Sequence, residues 1–260
     1  MSVRVLLIRT AGTNCDVESA HAFAMAGAEP EPVHINRLMR EPSLLRSAQI
    51  CMIPGGFSYG DDIAAGKVLA NEIRVRLLGH LRDFIKGGRL VLGVCNGFQV
   101  LVKAGLLPDP FCDEPGVTLG WNDSNRYEAR WVHMRIDSAK SAFLREAGRL
   151  IQLPVAHGEG KLIPRDAAML ESLRASGQIV LRYCGPAGEA VGYPGNPNGS
   201  VDGIAGICDP TGHVLGLMPH PERFVLPTHH PWWTRLAAPP VPDGLAFFTN
   251  AVAYAKEKMA

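Results

Sequence analysis

Residues 89–99 read Arg89-Leu-Val-Leu-Gly-Val94-Cys95-Asn-Gly97-Phe-Gln99, an apolar run that meets a cysteine and continues as a helical pattern to Ala104, where Gly105 closes it. A run this short, preceded by Gly87-Gly88, reads as a buried strand. A cysteine with glycine two positions away on either side fits a sharp strand-to-helix elbow, because side chains at the flanking positions would collide there. Outward from this unit, the first half alternates apolar runs with amphipathic stretches, the pattern of βαβ units and a parallel sheet. Strands are predicted over 3–8, 33–35 and 50–53, a helix over 17–25 stopped by Gly27, and helical structure in two pieces over 61–85. The second half carries strand-like runs at 131–136, 150–153, 179–183, 204–208 and 214–218, a hairpin turn at Asp209-Pro-Thr-Gly212, and a last helix over 245–258. The prediction is an α/β fold: an open, mostly parallel, flavodoxin-like sheet with helices on both faces and a mixed-strand extension. The chain reads as a single domain over 1–260, with a Pro/Trp-rich segment at 227–242 containing Trp232-Trp233.

Composition narrows the function. With 26 Lys+Arg against 25 Asp+Glu in 260 residues, and no basic run, nothing forms a stripe for phosphate backbones, so no nucleic acid partner is expected. The N-terminal apolar run is too short for a signal-peptide core, and no segment approaches the length a membrane helix needs. A cytoplasmic chain without a membrane partner is expected. The six cysteines form no C-x-x-C pair, which argues against a metal site or a disulfide framework.

Two sequences compete as nucleophile elbows. Gly93-Val-Cys95-Asn-Gly97 follows a strand without a break, whereas Gly56-Phe-Ser58-Tyr-Gly60 matches the G-x-S-x-G hydrolase pattern but follows Pro54-Gly55, where the strand has already ended. Context favours Cys95. A thiol with a pKa near 8.5 is only a few per cent ionised at neutral pH, so it needs the amides opening the next helix and a nearby imidazolium.

Among nine histidines, His220 stands out because a strand delivers it and Pro219 and Pro221 bracket it. In an extended His220-Pro-Glu222, residues two apart point the same way, which would let the carboxylate orient the imidazole. His157, in Pro154-Val-Ala-His-Gly-Glu-Gly160, reads as part of a loop lining a site, and His229 and His230 as solvated or in a contact surface. The loop Pro54 to Asp62 suits an oxyanion hole built from backbone N–H groups. It lacks the Gly-Lys-Ser/Thr of a phosphate cradle, and Asp61-Asp62 would repel phosphate.

Taken together these residues resemble the class I, triad-type glutamine amidotransferases. Gly93-Val-Cys95-Asn-Gly97-Phe-Gln99 resembles that family's nucleophile motif, and Met218-Pro-His220-Pro-Glu222-Arg223 its His/Glu motif. Arg9-Thr-Ala-Gly-Thr-Asn14-Cys-Asp16, Pro54 to Asp62, Pro154 to Gly160 and Asn196-Pro-Asn-Gly-Ser200 are similar to segments of one branch, the glutaminase subunits of phosphoribosylformylglycinamidine synthase. The resemblance implies a Cys95, His220 and Glu222 triad, oxyanion donors near Gly56 and Asn96, and glutamine contacts from Gln99 and His157. It implies no cofactor in this chain. Ammonia would pass to a synthetase subunit that binds ATP, Mg and formylglycinamide ribonucleotide, with a small accessory subunit as a further partner. Three alternatives remain at this point: service to a different synthetase, a serine hydrolase using Ser58, and a non-catalytic binding subunit.

Overall fold

The computed structural model describes residues 2–237 and 240–259 and opens with β1 (Val3–Arg9), whose central residues are buried on both faces, as a parallel sheet covered by helices requires. There follow α1 (Asp16–Met25), β2 (Ala28–His34), α2 (Ile35–Arg40), β3 (Ile50–Ile53), α3 (Lys67–Arg76), α4 (Leu78–Lys86), β4 (Leu90–Val94) and α5 (Asn96–Ala104). The second half contains β5 (Val117–Trp121), β6 (Glu128–Ile136), β7 (Leu150–His157), β8 (Glu159–Pro164) and α6 (Ala167–Ala175). It ends with β9 (Ile179–Cys184), β10 (Ile204–Cys208), β11 (Val214–Leu217) and α7 (Leu245–Lys258).

Nine strands form one sheet in the order β2-β1-β3-β4-β11-β10-β9-β6-β7, and β5 pairs with β8 apart from it. From β2 to β11 the neighbours are parallel. From β11 through β10, β9 and β6 to β7 they are antiparallel. This is the parallel sheet with a mixed-strand extension that the sequence predicts. The consequential feature is β11, which returns beside β4 with Leu217 level with Val94. The elbow after β4 and the 218–222 stretch after β11 therefore leave adjacent parallel strands at the same end, the end where open α/β sheets bind ligands. Helix α1 packs with α7 through an edge-on Phe23–Phe248 contact (centroids 4.9 Å apart), while α3 packs with α4 and α5. Each fully buried phenylalanine of this core, Phe98 and Phe247 among them, contributes on the order of 1.5–3 kcal/mol.

Several elements differ from expectation. The strand predicted over 33–35 is β2, which begins at Ala28 and carries Pro30 and Pro32; as the edge strand it tolerates residues that cannot donate to a ladder. Ile35 already belongs to α2. Residues 154–160 form no loop: they are the end of β7 and the start of β8. The segment at 227–242, of which residues 238 and 239 lie outside the described part, is folded back on β7. His230 is buried, not solvated, and its Nε2 donates to Gln152 Oε1 at 3.1 Å. Just past the segment's far end Asp243 accepts from Gln152 N and Arg149 Nη2, both at 2.9 Å. Trp232 and Trp233 remain 62% and 47% exposed.

Candidate active site

Cys95 stands at the junction of β4 and α5 with φ 51° and ψ −106°, a conformation that L-residues rarely hold and that marks a strained turn. Its neighbours make the turn feasible. A Cβ on Gly97 would lie 1.8 Å from Ile53 O, and one on Gly93 would lie 2.7 Å from Gly97 O. The Cys95 amide donates to Leu217 O on β11 (2.8 Å), and its carbonyl accepts from Gln99 N (3.1 Å) to start α5. The thiol is buried and directed at Ala156 O, 3.6 Å away.

His220 is anchored by its own N–H, which donates to Pro154 O on β7 at 2.9 Å. Its Nδ1 lies 2.5 Å from Glu222 Oε1, with both side chains buried. The tripeptide is not extended as the sequence suggests. Only His220 is; Pro221–Arg223 forms one 3-10 turn that brings the carboxylate round to the imidazole. With Nδ1 donating to the carboxylate, Nε2 is left as the basic nitrogen, and it has no hydrogen-bond partner among the described residues. Burial opposes a charge on this ring. The Glu222 carboxylate and the nearby Cys95, with the Cys15 sulfur 4.0 Å from Nδ1, override it and hold His220 well above the ordinary 6.5.

Gly56 and Asn96, the expected oxyanion donors, lie in the loop after β3 and at the start of α5. Gly56 has φ 147°, and a Cβ there would meet Gly12 O at 2.7 Å and Asn14 N at 2.8 Å, so only glycine fits. Its loop is tied down by the Thr13–Gly56 bridge and by Phe57 N donating to Gly12 O. Among the described residues, neither the Gly56 nor the Asn96 amide donates to another backbone group. Below them lies a polar network. The Asn96 side chain accepts from Ser58 N (3.1 Å) and donates to Asp61 Oδ1 and Gln99 Oε1 (3.0 Å each), while Gln99 Nε2 donates to Glu159 O. Lys103 pairs with Glu159 at 3.7 Å. Both ends of the Gln99 amide are thus committed to protein groups. Gln99 lines the site but is spent on holding it.

A cavity of about 450 Å³, within the range of small-molecule sites, is lined by Gly56, Cys95, Gln99, Tyr127, His157 and Glu159 among others. His157 is buried, its Nδ1 lies 3.1 Å from Asn122 Oδ1, and its Nε2 has no partner among the described residues. Burial, reinforced by the charge of His220, pushes His157 down to about 3, so it is neutral. Ser58 is buried, and its hydroxyl has no hydrogen-bond partner among the described residues, so no base activates it.

Residue-by-residue reading of the sequence missed Cys15. Its sulfur lies 4.0 Å from His220 Nδ1 and accepts from Arg223 Nη2 at 3.1 Å. Cys15, His220 and Glu222 offer three atoms within 4.8 Å of one another, a spacing a metal ion could use. The donor set does not fit one: a guanidinium already occupies the sulfur, and Nδ1 is spent on the carboxylate. The position of Cys15 just beyond β1, at the ligand-binding end of the sheet, was the available signal.

Residues 2–255 match the family described as the CobB/CobQ-like glutamine amidotransferase domain. The chain is 44% identical to phosphoribosylformylglycinamidine synthase subunit PurQ of Dehalococcoides mccartyi over 98% of each sequence. The chain belongs to the glutamine amidotransferases, in the PurQ branch. A second PurQ, from Methanococcus maripaludis, is 41% identical over 98% of this chain and 99% of its own length. Among solved structures, a chain in the structure of PurLQS from Thermotoga maritima superimposes with a TM-score of 0.75 at 30% identity, covering 98% of this chain and 99% of that one. In this glutamine amidotransferase, the elbow, the His220–Glu222 pair and the cavity share one end of the sheet.

Proposed function

We propose that this chain is the glutaminase subunit of a phosphoribosylformylglycinamidine synthase and that Cys95, His220 and Glu222 form its catalytic triad. Glutamine enters the cavity and the Cys95 thiolate attacks its carboxamide carbon, while the Gly56 and Asn96 amides receive the oxyanion. His220 passes a proton to the nitrogen, ammonia leaves, and a glutamyl thioester remains. Water deprotonated by His220 then attacks the thioester, releasing glutamate and restoring the thiolate beside a protonated His220. His157 serves as a neutral donor or acceptor to the substrate, and Gln99 holds the loop that carries the oxyanion site. The ammonia is consumed by a synthetase subunit that binds ATP, Mg and formylglycinamide ribonucleotide and makes formylglycinamidine ribonucleotide, with a small accessory subunit completing the assembly. We read residues 1–260 as one amidotransferase domain acting in the cytoplasm; no described helix is long and apolar enough to cross a membrane.

One observation carries this reading. The buried Nδ1–carboxylate pair of His220 and Glu222 follows β11, the strand beside the one that ends in the strained Cys95 elbow. Reconstitution with the synthetase subunit tests it: Cys95→Ala is expected to abolish glutamate release while ammonium salts still support product formation, and Ser58→Ala to leave the thioester forming. Glutamine turnover by Cys95→Ala would refute the assignment.

A further inference from the structure

Cys15 is a buried thiol beside His220 that the chemistry proposed above leaves unused. It lies in the turn between β1 and α1, where the amides of Asn14 and Cys15 donate to Gly55 O at 3.4 and 3.2 Å. The turn is packed so tightly that a Cβ on Gly55 would stand 2.9 Å from His220 Cε1 and 3.1 Å from Cys15 Sγ. The thiol donates to Asn14 Oδ1 (3.2 Å) and its sulfur accepts from Arg223 Nη2 (3.1 Å). Burial pushes the Cys15 thiol up, so at neutral pH it is an uncharged S–H whose lone pairs face the guanidinium.

Arg223 follows Glu222 directly in the same 3-10 turn. Glu222 Oε2 is buried and has no hydrogen-bond partner among the described residues. A guanidinium free to turn inward would pair with this carboxylate, since a two-pronged Arg–carboxylate contact is stronger than a neutral one. The carboxylate would then be withdrawn from His220. In the structure the guanidinium is instead held by the Cys15 sulfur and, at 3.8 Å, by Glu18 Oε1.

We infer that Cys15 is a positioning residue for the reaction: its sulfur holds the Arg223 guanidinium away from Glu222 and so reserves the carboxylate for His220. The inference rests on the triad reading above. The groups facing His220 are Cys95 from the elbow, Cys15 from the β1–α1 turn, His157 from the end of β7, Tyr127 from ahead of β6, and Glu222 from its own turn, with the Arg223 guanidinium behind Cys15 and within reach of the Glu222 charge. His157 is neutral at working pH, and burial pushes Tyr127 up, so it is neutral too. Arg223 is therefore the cation whose placement sets how much of the Glu222 charge His220 feels.

The test is the pH profile of glutamine hydrolysis by the complex with the synthetase subunit. Its alkaline limb reports loss of the imidazolium that protonates departing ammonia. Cys15→Ala is expected to move that limb down by about one pH unit, the size of effect a nearby opposite charge has, and to lower kcat about tenfold with KM within about twofold. Cys15→Ser, whose oxygen still accepts the guanidinium, is expected to stay near wild type. Adding Arg223→Gln to Cys15→Ala should return the limb, because no cation remains to capture Glu222. A Cys15→Ala limb that is unmoved, or that moves equally with and without Arg223, overturns the inference, since simple loss of packing would lower thermal stability without a limb shift that depends on Arg223. If Cys15→Ala does not fold, Cys15→Val, which fills the space but offers the guanidinium no acceptor, decides: a lowered limb that Arg223→Gln returns is expected, and an unmoved limb refutes the proposal. Failure of the wild-type complex to release glutamate would instead overturn the triad reading itself.

Discussion

Cys95 holds a backbone conformation that costs on the order of 1–3 kcal/mol, and the turn closes because Gly93 and Gly97 carry no side chain where one would clash. Gly97→Ala would drive a methyl into Ile53 O. The expected result is a loss of at least about 3 kcal/mol of stability in denaturant titration, together with loss of the reactive elbow. His157 makes a second residue-scale prediction. Its pKa is about 3 in the folded chain against 6.5 for a free imidazole, so the unfolded state binds an extra proton between those values. Stability should therefore rise with pH across that window and level off above it. His157→Gln should flatten this dependence, as read by thermal unfolding at a series of pH values; an unchanged slope would show that His157 is not held neutral. At this scale the sequence was informative where chemistry is local. The glycine spacing around Cys95 and the two-residue step from His220 to Glu222 are visible within a few positions. Cys15 is not, because its contact with His220 spans 205 positions.

At the scale of elements, the edge strand β7 links the site to the segment folded over it. Its Pro154 carbonyl anchors His220, its Ala156 carbonyl accepts from the Cys95 thiol, and its last residue, His157, lines the cavity. Two residues before Pro154, the Gln152 side chain is held by His230 of the folded-back segment and its amide by Asp243 just beyond it. Covering an exposed strand edge in this way also blocks pairing with other chains. Asp243→Ala would leave the part-buried Gln152 N–H without its acceptor and Arg149 with Glu146 alone, an expected loss of about 1–3 kcal/mol seen as a lower urea midpoint. Because the same strand holds His220, glutaminase activity should fall with it. Residues 154–160 looked like a loop because Gly158 and Gly160 interrupt the alternation. The structure gives Gly160 a packing reason, since a Cβ there would lie 2.6 Å from His157 Nδ1. The prolines of β2 hid its first five residues, 28–32, for a related cause, its place at the other edge of the sheet.

At the scale of the molecule, the order of strands is what makes the chemistry possible. The βαβ alternation of the first half was legible because helix and strand periods differ so clearly, but the insertion of β11 between β4 and β10 was not, since no local pattern encodes which strands become neighbours. That insertion sets the Cys95 elbow beside His220 although 125 positions, roughly half the chain, separate them. The chemistry requires Cys95 to be the residue that glutamine reaches through the cavity. Alkylation of the complex with a glutamine-mimicking electrophile, followed by peptide mapping, measures this directly. Stoichiometric labelling of Cys95, blocked by glutamine and slowed in Glu222→Gln, is the predicted result; labelling of Cys15 or Ser58 instead, or labelling of Cys95 that glutamine does not protect, would contradict it.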